Sequence, residues 1–227
     1  MPRGLHGLLN RIMHSEGTAA VRTTGMYAAR LTYATPRPLL PHRLDLPTLL
    51  NRRRLLGCGV EVGVRRGEFS EVLLDGWRGR HLISVDPWAE AETDEYVDLA
   101  NVQQAEHDGY HDETVRRLAR FGERSTIWRM FGADAAERIP HHALDFVYLD
   151  ARHGYASVLE DLKAWHDRVR PGGILAGHDY IDGTFADGEF GVRSAVDEFF
   201  GRRGWSVGVT RADSPWLTWY GVVPAAG

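Results

Sequence analysis

Side chains suited to binding a cation cluster at the ends of two apolar runs in the second half of the sequence. Asp150 ends the run 144–150, and the pair His178-Asp179 follows the glycine-rich run that begins near residue 173. The ends of neighbouring parallel strands meet at one edge of a sheet, so these side chains are expected to surround one point. Carboxylate oxygens suit Mg²⁺, whereas imidazole suits Mn²⁺, Fe²⁺ or Zn²⁺ better. The pattern predicts a divalent metal site formed by Asp150, His178 and Asp179, and the other role open to His178 is to orient Asp179 or a bound molecule.

His153 follows Asp150 by three residues, on the loop after the same predicted strand. A neutral hydroxyl is a poor nucleophile near neutral pH, and a bound cation together with a positioned base can activate it. The unperturbed pKa of histidine, about 6.5, suits proton abstraction in that range. We therefore expect His153 to be the general base, with Asp150 as the second catalytic candidate. The alternative role of His153 is to cap the helix that begins near Tyr155.

A glycine-rich turn follows the first apolar run of the chain. Residues 60–67 read Val-Glu-Val-Gly-Val-Arg-Arg-Gly, and a helical pattern follows them. Gly63 and Gly67 let the backbone turn tightly and approach a ligand where a Cβ would clash. A second apolar run, 81–86, ends in Asp86, at the distance expected for an acid that bonds to ribose hydroxyls. The combination indicates a site for a nucleotide-like cofactor.

The spacing of the glycines disfavours a nicotinamide cofactor. The fingerprint Gly-x-Gly-x-x-Gly is not matched, and Gly59 and Gly63 match only the first part of Gly-x-x-x-Gly-x-Gly, because Arg65 occupies its last position. Neither Tyr155 nor Tyr180 is followed by the lysine of a Tyr-x-x-x-Lys pair. Hydride transfer is therefore the weaker interpretation.

In this combination of motifs, the chain resembles the class I S-adenosylmethionine-dependent methyltransferases. Their first motif, Glu-x-Gly-x-x-x-Gly, is matched by Glu61, Gly63 and Gly67, and their second-strand acid is matched by Asp86. The resemblance implies that Glu61 holds the methionine amino end, that Gly63 lets the donor approach and that Asp86 takes the ribose. It also implies that Asp134 accepts a hydrogen bond from the adenine amino group, unless Asp134 instead caps the short helix after it.

Two further blocks resemble a narrower branch of these enzymes. Residues 147–155 and 170–180 are similar to small, metal-dependent O-methyltransferases related to macrolide-sugar and cephalosporin-pathway enzymes. These relatives carry a base at the position of His153 and generally an acid at the position of His178. The resemblance implies methyl transfer to a hydroxyl of a polar natural product or a sugar, for which a methylmannose oligosaccharide is one candidate. It also implies that a divalent cation, Mg²⁺ or Mn²⁺, assists the reaction.

Composition favours an enzyme of one main domain. The chain has 227 residues, of which 43% are hydrophobic, and a net charge of −4. Such a length can bury a sizeable core, and the charge gives no reason to expect a nucleic-acid partner. No apolar run reaches the roughly 20 residues that span a bilayer, and the first residues lack the apolar core of a signal peptide. We therefore expect a cytoplasmic enzyme without a membrane partner.

Alternating strands and helices predict an α/β fold of the Rossmann-like, doubly wound type, with helices on both faces of a mostly parallel sheet. The methyltransferase resemblance implies a C-terminal antiparallel strand. The predicted strands lie near residues 58–62, 81–86, 125–130, 144–150, 173–178, 205–210 and 216–223. Predicted helices include 110–121, 155–169 and 192–203.

The irregular, arginine- and proline-rich start of the chain predicts an extension over residues 1–45, followed by the methyltransferase domain over 46–227. The extension is expected to cover the site or to contact another subunit of a homo-oligomer, a dimer or larger, and a loosely packed tail is the alternative. Two insertions, 88–111 and 181–189, are predicted to overhang the strand ends and are candidates for acceptor-binding lids. For the first, which is rich in acidic residues, a solvated acidic helix face is the favoured alternative.

Two other functions fit the same residues. One is a metal-independent methyltransferase for a small molecule, in which His153 or His178 works alone. The other is a non-catalytic protein that binds S-adenosylmethionine. The intact glycine turn, together with Asp150, His153 and Asp179, argues against the second.

Overall fold

The computed structural model of the chain describes residues 40–91, 101–185 and 188–224. Most of the predicted N-terminal extension, residues 1–39, lies outside the described residues, and so does the acidic stretch 92–100 of the first predicted insertion.

A seven-stranded sheet forms the centre of the described part of the chain. The strands of the described residues are, in chain order, β1 (Cys58–Val62), β2 (His81–Asp86), β3 (Ser125–Arg129), β4 (Leu144–Leu149), β5 (Val169–Gly177), β6 (Asp182–Phe185), β7 (Gly188–Gly191), β8 (Gly208–Val209) and β9 (Trp219–Val222). The sheet has the order β3-β2-β1-β4-β5-β9-β8, and its first five strands are parallel. Strand β9 runs antiparallel to both β5 and β8. The predicted fold class is therefore confirmed.

Helices cover both faces of the sheet. They are α1 (Leu46–Arg52), α2 (Glu68–Gly76), α3 (Gln104–Leu118), α4 (Gly132–Glu137), α5 (Tyr155–Trp165) and α6 (Val192–Arg202). Buried apolar side chains of α1 and α2 form one cluster on the sheet, and those of α4, α5 and α6 form another. Among the helices of the described ranges, none is long and apolar enough to cross a bilayer.

Strand β4 shows why the central strands read as continuous apolar runs. Phe146 and Tyr148 belong to the cluster with α1 and α2, whereas Val147 and Leu149 belong to the cluster with α4, α5 and α6. All four side chains are buried. A parallel strand covered on both faces needs apolar residues at every position, and its end is the first place where a polar side chain fits. Asp150 occupies that place.

The second predicted insertion, 181–189, contains regular structure that the sequence pattern does not indicate. Strands β6 and β7 form an antiparallel hairpin directly after β5, with Asp182 opposite Gly191 and Phe185 opposite Gly188. This hairpin lies beyond the end of β5, where the predicted lid was expected.

The segment just before α1 is tied to the loop between β8 and β9. The backbone N–H groups of Arg211 and Ala212 donate to the carbonyl of Pro41, at 3.2 and 3.0 Å. In the opposite direction, the backbone N–H of Arg43 donates to both carboxylate oxygens of Asp213, at 3.1 and 2.9 Å. Residues 40–45, which the sequence prediction counts with the extension, are thereby held at the carboxyl-end edge of the sheet.

The glycine turn after β1 packs directly on the end of β4. Gly63 has a φ of 87°, and a Cβ built on it would lie 2.0 Å from the carbonyl oxygen of Asp150. The backbone N–H of Asp150 donates to the carbonyl of Val62 at 2.8 Å. Gly67, with a φ of 79°, is the N-cap residue of α2. The close approach of Asp150 therefore requires a glycine at position 63. This reason is separate from the close approach of a ligand that the sequence predicts.

We expect Gly63→Ala to destabilise the protein by roughly 3 kcal/mol, because it adds a side chain at a left-handed backbone position and against main-chain atoms. The free energy of unfolding in urea measures this. The matched control is Gly109→Ala, in the exposed part of α3 with nothing within 4 Å of the added Cβ. That change is expected to be neutral or to stabilise by up to about 1 kcal/mol. Equal effects of the two substitutions would contradict the packing described for Gly63.

Candidate functional site

The carboxyl ends of β4 and β5 bring together the four side chains that the sequence analysis singles out. The Nε2 atom of His153 lies 3.0 Å from Oδ2 of Asp179. The Nδ1 atom of His178 lies 2.9 Å from the other oxygen, Oδ1, of Asp179. The same Nδ1 atom lies 3.8 Å from Oδ1 of Asp150. Asp179 is thus the centre of the cluster, with one histidine on each carboxylate oxygen.

Three of these residues have the arrangement of a metal-ligand set. One ligand atom each from Asp150, His153 and Asp179 lies within 4.8 Å of the others. Ligand atoms on opposite sides of a cation with bonds of 2.0–2.1 Å are about 4 Å apart, so small side-chain movements would suffice. The sequence predicts His178 as a metal ligand and His153 as the group that takes the proton, whereas the geometry brings His153 into the ligand group. Both assignments remain predictions.

Burial and neighbouring charges shift the pKa values of Asp150 and Asp179 in opposite directions. Burial alone would raise the pKa of Asp179, but His178 and His153 reverse the effect and hold that pKa well below its usual range. Burial raises the pKa of Asp150, and the charge of Asp179 adds to the rise, although His178 opposes it. Burial would lower the pKa of His178, and the two carboxylates outweigh it and raise that pKa. Asp179 therefore stays ionised, while Asp150 takes up a proton more readily.

Asp179 adopts an unusual backbone conformation. Its φ is 54°, in the left-handed region where residues other than glycine are uncommon and aspartate and asparagine are enriched. Its side chain is buried between the two histidines. Strained backbone of this kind concentrates at functional sites, where the surrounding structure maintains it.

The β6–β7 hairpin holds the loop that carries His153. The ring of Phe190 stacks on the imidazole with centroids 4.5 Å apart and planes 7° from parallel. The backbone N–H of Gly191 donates to the carbonyl of His153 at 2.9 Å. Helix α5 has Gly154 as its N-cap residue, so the capping role considered for His153 is wrong. The side chain of His153, 17% exposed, is fixed instead by an aromatic ring and a carboxylate.

Glu61, at the end of β1, is almost fully buried, with 1% exposure. The hydroxyl of Ser70 in α2 donates to its carboxyl group and lies 2.8 Å from the hydroxyl of Ser84. Burial raises the pKa of Glu61 to about 8, although the bond from Ser70 opposes the rise. Near neutral pH, this carboxyl group is held mostly protonated, and a nearby cationic group would favour its ionised form.

Asp86, at the end of β2, braces the glycine turn. Its Oδ2 atom accepts hydrogen bonds from the backbone N–H groups of Val64 and Arg65, both at 2.9 Å. Its Oδ1 atom accepts from the backbone N–H of Trp88 at 2.8 Å. A carboxylate offers about four acceptor positions, so one remains for a ribose hydroxyl. The predicted ribose contact is compatible with this structural role.

Asp134 lies in the first turn of α4 and is exposed. Phe131 is the N-cap residue of that helix, so the capping alternative for Asp134 is wrong. The predicted contact with an adenine amino group stays a prediction.

Sequence reasoning missed Arg43. Its guanidinium Nη1 atom lies 3.7 Å from Oδ2 of Asp150, at the edge of the cluster. No motif marks this arginine, because hydrogen bonds between the segment before α1 and the β8–β9 loop bring it to the site. An isolated arginine before a proline-containing helix does not indicate, in the sequence alone, that it lies near Asp150.

The sheet order, with an antiparallel strand beyond five parallel strands, defines the Rossmann-like fold of S-adenosylmethionine-dependent methyltransferases. The family described as "Methyltransferase domain" matches residues 60–180, more than half of the chain. The chain belongs to this family. The matched range begins in β1 and ends just after Asp179, so it includes the glycine turn and all four clustered side chains.

One curated relative is an uncharacterized protein of Acanthamoeba polyphaga mimivirus, 23% identical over 123 residues. The alignment covers 54% of this chain and 51% of the viral protein, so the chain spans about half the length of the curated relative that it matches.

Solved structures share the fold at low sequence identity. A Corynebacterium glutamicum protein superposes with a TM-score of 0.59 at 14% identity, covering 98% of each chain. The 1,6-didemethyltoxoflavin-N1-methyltransferase of Burkholderia thailandensis, solved with S-adenosylhomocysteine, gives 0.54 at 14% identity, covering 92% of this chain and 90% of that one. An O-methyltransferase family protein of the same organism gives 0.56 at 12% identity, covering 96% of this chain and 63% of that one. These likenesses establish the fold.

The buried carboxyl group of Glu61 makes stability depend on pH. Its pKa is about 8 in the folded protein, against an ordinary value of 4.5. Between these values the unfolded chain loses a proton that the folded protein keeps, so rising pH favours unfolding by up to about 1.4 kcal/mol per pH unit. We expect Glu61→Gln to remove this dependence, so that urea unfolding at pH 5 and pH 7.5 differs less than in the wild type. The control is the exposed Glu137→Gln in α4, and a wild-type slope in Glu61→Gln would contradict the burial argument.

Proposed function

We propose that this protein is an S-adenosylmethionine-dependent O-methyltransferase that acts on a hydroxyl of a sugar or a polar natural product, assisted by a divalent cation and a histidine base. The observation that carries the proposal is the position of one cluster, Asp150, His153 and Asp179, directly beside the glycine turn after β1. Membership of the methyltransferase family supports the reaction class, and the choice of oxygen as acceptor rests on the cluster.

The residues at the ends of β1 and β2 fit the proposed donor. Glu61 offers a carboxyl group to an ammonium, and Asp86 retains an acceptor position for a ribose hydroxyl. When bound, S-adenosylmethionine supplies a methyl group whose bond to a positively charged sulfur breaks as the acceptor oxygen bonds to it. Asp150, whose carbonyl packs on Gly63, links this half of the site to the cation half.

The second half of the site fits a divalent cation. The carboxylates of Asp150 and Asp179 and the imidazole of His178, which the proposal takes as the nitrogen ligand, form a mixed oxygen and nitrogen ligand set, which suits Mn²⁺ and also serves Mg²⁺ with added waters. A bound cation of this kind supplies a Lewis acid that lowers the pKa of a coordinated hydroxyl. Because the pKa of Asp179 is held low by its histidine partners, its carboxylate is ready to bind a cation across the physiological pH range.

His153 is proposed as the group that receives the hydroxyl proton. A histidine whose Nε2–H donates to a carboxylate is held in one tautomer and accepts a proton at Nδ1. The contact of His153 Nε2 with Asp179 and the stacked ring of Phe190 fix the imidazole in one orientation. The carboxylate of Asp179 also stabilises the imidazolium that forms, in the way that an aspartate supports a catalytic histidine.

A metal-independent mechanism is the second candidate, and the ion pairs of the cluster favour it. Asp179 contacts two histidines, and Asp150 lies near His178 and Arg43. The carboxylates are thus balanced by cationic partners of the chain itself. In this alternative, the His153–Asp179 pair removes the proton without a Lewis acid.

The two mechanisms differ in whether the site binds a divalent cation. We expect Asp179→Asn to weaken Mn²⁺ binding at least about tenfold, because the substitution keeps the shape and removes the charge. Binding of S-adenosylhomocysteine should change less than twofold, because its proposed contacts are at Glu61 and Asp86. Calorimetric titration of each compound measures both effects, and Asp112→Asn, an exposed site on α3, is the matched control.

Turnover should require a divalent cation in the first mechanism and not in the second. A panel of hydroxyl compounds with labelled methyl donor, assayed with and without EDTA, is expected to give product only when Mn²⁺ or Mg²⁺ is present. Full turnover by metal-free protein would support the second candidate and reject the first.

The proton-transfer role separates His153 from His178. We expect His153→Ala to reduce turnover by about 10²–10⁴-fold while the affinity for Mn²⁺ and S-adenosylhomocysteine stays near wild type. His178→Ala is expected to lose Mn²⁺ affinity. The reverse pattern, with metal affinity lost only in His153→Ala, would make His153 the ligand and contradict its assignment as the base.

A further inference from the structure

Arg43 occupies a position between the two halves of the proposed site. Its guanidinium carbon lies 5.5 Å from the ring centroid of Phe69, in the first turn of α2. The Phe69 ring in turn lies 4.4 Å from the ring of Tyr148 in β4. The Nη1 atom of Arg43 lies 3.7 Å from Oδ2 of Asp150, and the side chain is 28% exposed. The guanidinium therefore lies over the Phe69 ring, in a side chain that is only partly buried.

The register of the sheet places Glu61 beside this arginine. Glu61 of β1 is paired with Tyr148 of β4, and paired residues of parallel strands point to the same face. The end of β4 continues to Asp150, whose carbonyl packs on Gly63. The guanidinium thus has one carboxyl group of β1 and one that follows β4 as neighbours.

The charge of Arg43 acts on both neighbouring carboxyl groups. It opposes the rise that burial causes in the pKa of Glu61 and in that of Asp150. Burial would lower the pKa of Arg43 itself, but Tyr148 and Asp150 outweigh it, so the guanidinium stays charged. A buried cation is costly unless it is well paired. At 3.7 Å, the contact with Asp150 is longer than a direct hydrogen bond, so it leaves N–H groups of the five-donor fork available.

We propose that Arg43 binds the carboxylate of the amino-acid end of the methyl donor, an inference that rests on the proposed function. That end of the donor is a zwitterion with a positive sulfur nearby, so it carries two cationic groups and one anionic group. Glu61 is complementary to the ammonium group, and none of the contacts predicted from the sequence supplies a cation for the carboxylate. A planar guanidinium matches a carboxylate with two parallel hydrogen bonds.

The backbone around Arg43 is prepared for this contact. Its N–H is fixed by both oxygens of Asp213, and the imidazole Nε2 of His42 lies 2.8 Å from the same carboxylate. Asp213, in the C-terminal half of the chain, therefore fixes the backbone of Arg43 before any ligand binds. Little ordering is left to be done on binding, which favours affinity.

The test compares S-adenosylmethionine with its decarboxylated analogue, which lacks only the carboxylate. Calorimetry should show that Arg43→Met raises the Kd of S-adenosylmethionine on the order of 10- to 100-fold and leaves the Kd of the decarboxylated analogue nearly unchanged. Arg43→Lys should give an intermediate loss, because an ammonium keeps the charge and lacks the fork. Arg53→Met, at an exposed position after α1, is the matched control and should behave as wild type. Thermal unfolding of each variant checks that the fold is retained.

Each outcome separates this inference from the proposed function. Equal losses for the two ligands in Arg43→Met would mean that the arginine acts only through the structure, and would overturn the inference. Unchanged Kd values for both ligands in Arg43→Met would overturn the inference as well, while leaving the proposed function intact. If wild-type protein binds neither S-adenosylmethionine nor S-adenosylhomocysteine, the proposed function itself fails.

Discussion

The close packing of the β1 turn on the end of β4 is the constraint on which the site depends. Gly63 touches the main chain of Asp150 so closely that no side chain fits between them. This contact makes the donor half and the cation half of the proposed site adjacent across a single pair of parallel strands. If the turn moved outward to accept a Cβ, Asp150 would separate from the β1 turn.

The site concentrates buried charge, which a folded protein tolerates only where the charges are mutually arranged. The pKa of Asp179 is held low by two histidines, whereas the pKa values of Glu61 and Asp150 are raised by burial. This is the pattern expected of groups that exchange protons and bind cations. Apolar clusters on both faces of the sheet supply the stability that such an arrangement lacks.

The parts of the fold and site that could be predicted from the sequence are those set by local patterns. Strands β1 and β2 have the predicted bounds, because uninterrupted apolar runs with polar ends are typical of buried parallel strands. Asp150 and Asp179 were accessible to the same reasoning as strand-end acids. Arg43 and the packing of Phe190 on His153 were not, because they depend on contacts between segments far apart in the chain. For Gly63, the sequence could predict the tight turn, because a positive φ is a local property. It could not predict the packing on Asp150, which lies far away in the chain.

The central claim is that the donor and the cation bind side by side across β1 and β4. Nuclear relaxation of bound S-adenosylhomocysteine by Mn²⁺ tests it most directly, because the paramagnetic effect falls steeply with distance. The account predicts strong relaxation of the protons next to the sulfur and weaker relaxation of the adenine protons, both lost in Asp179→Asn. Uniformly weak relaxation, or the strongest effect on the adenine protons, would contradict it.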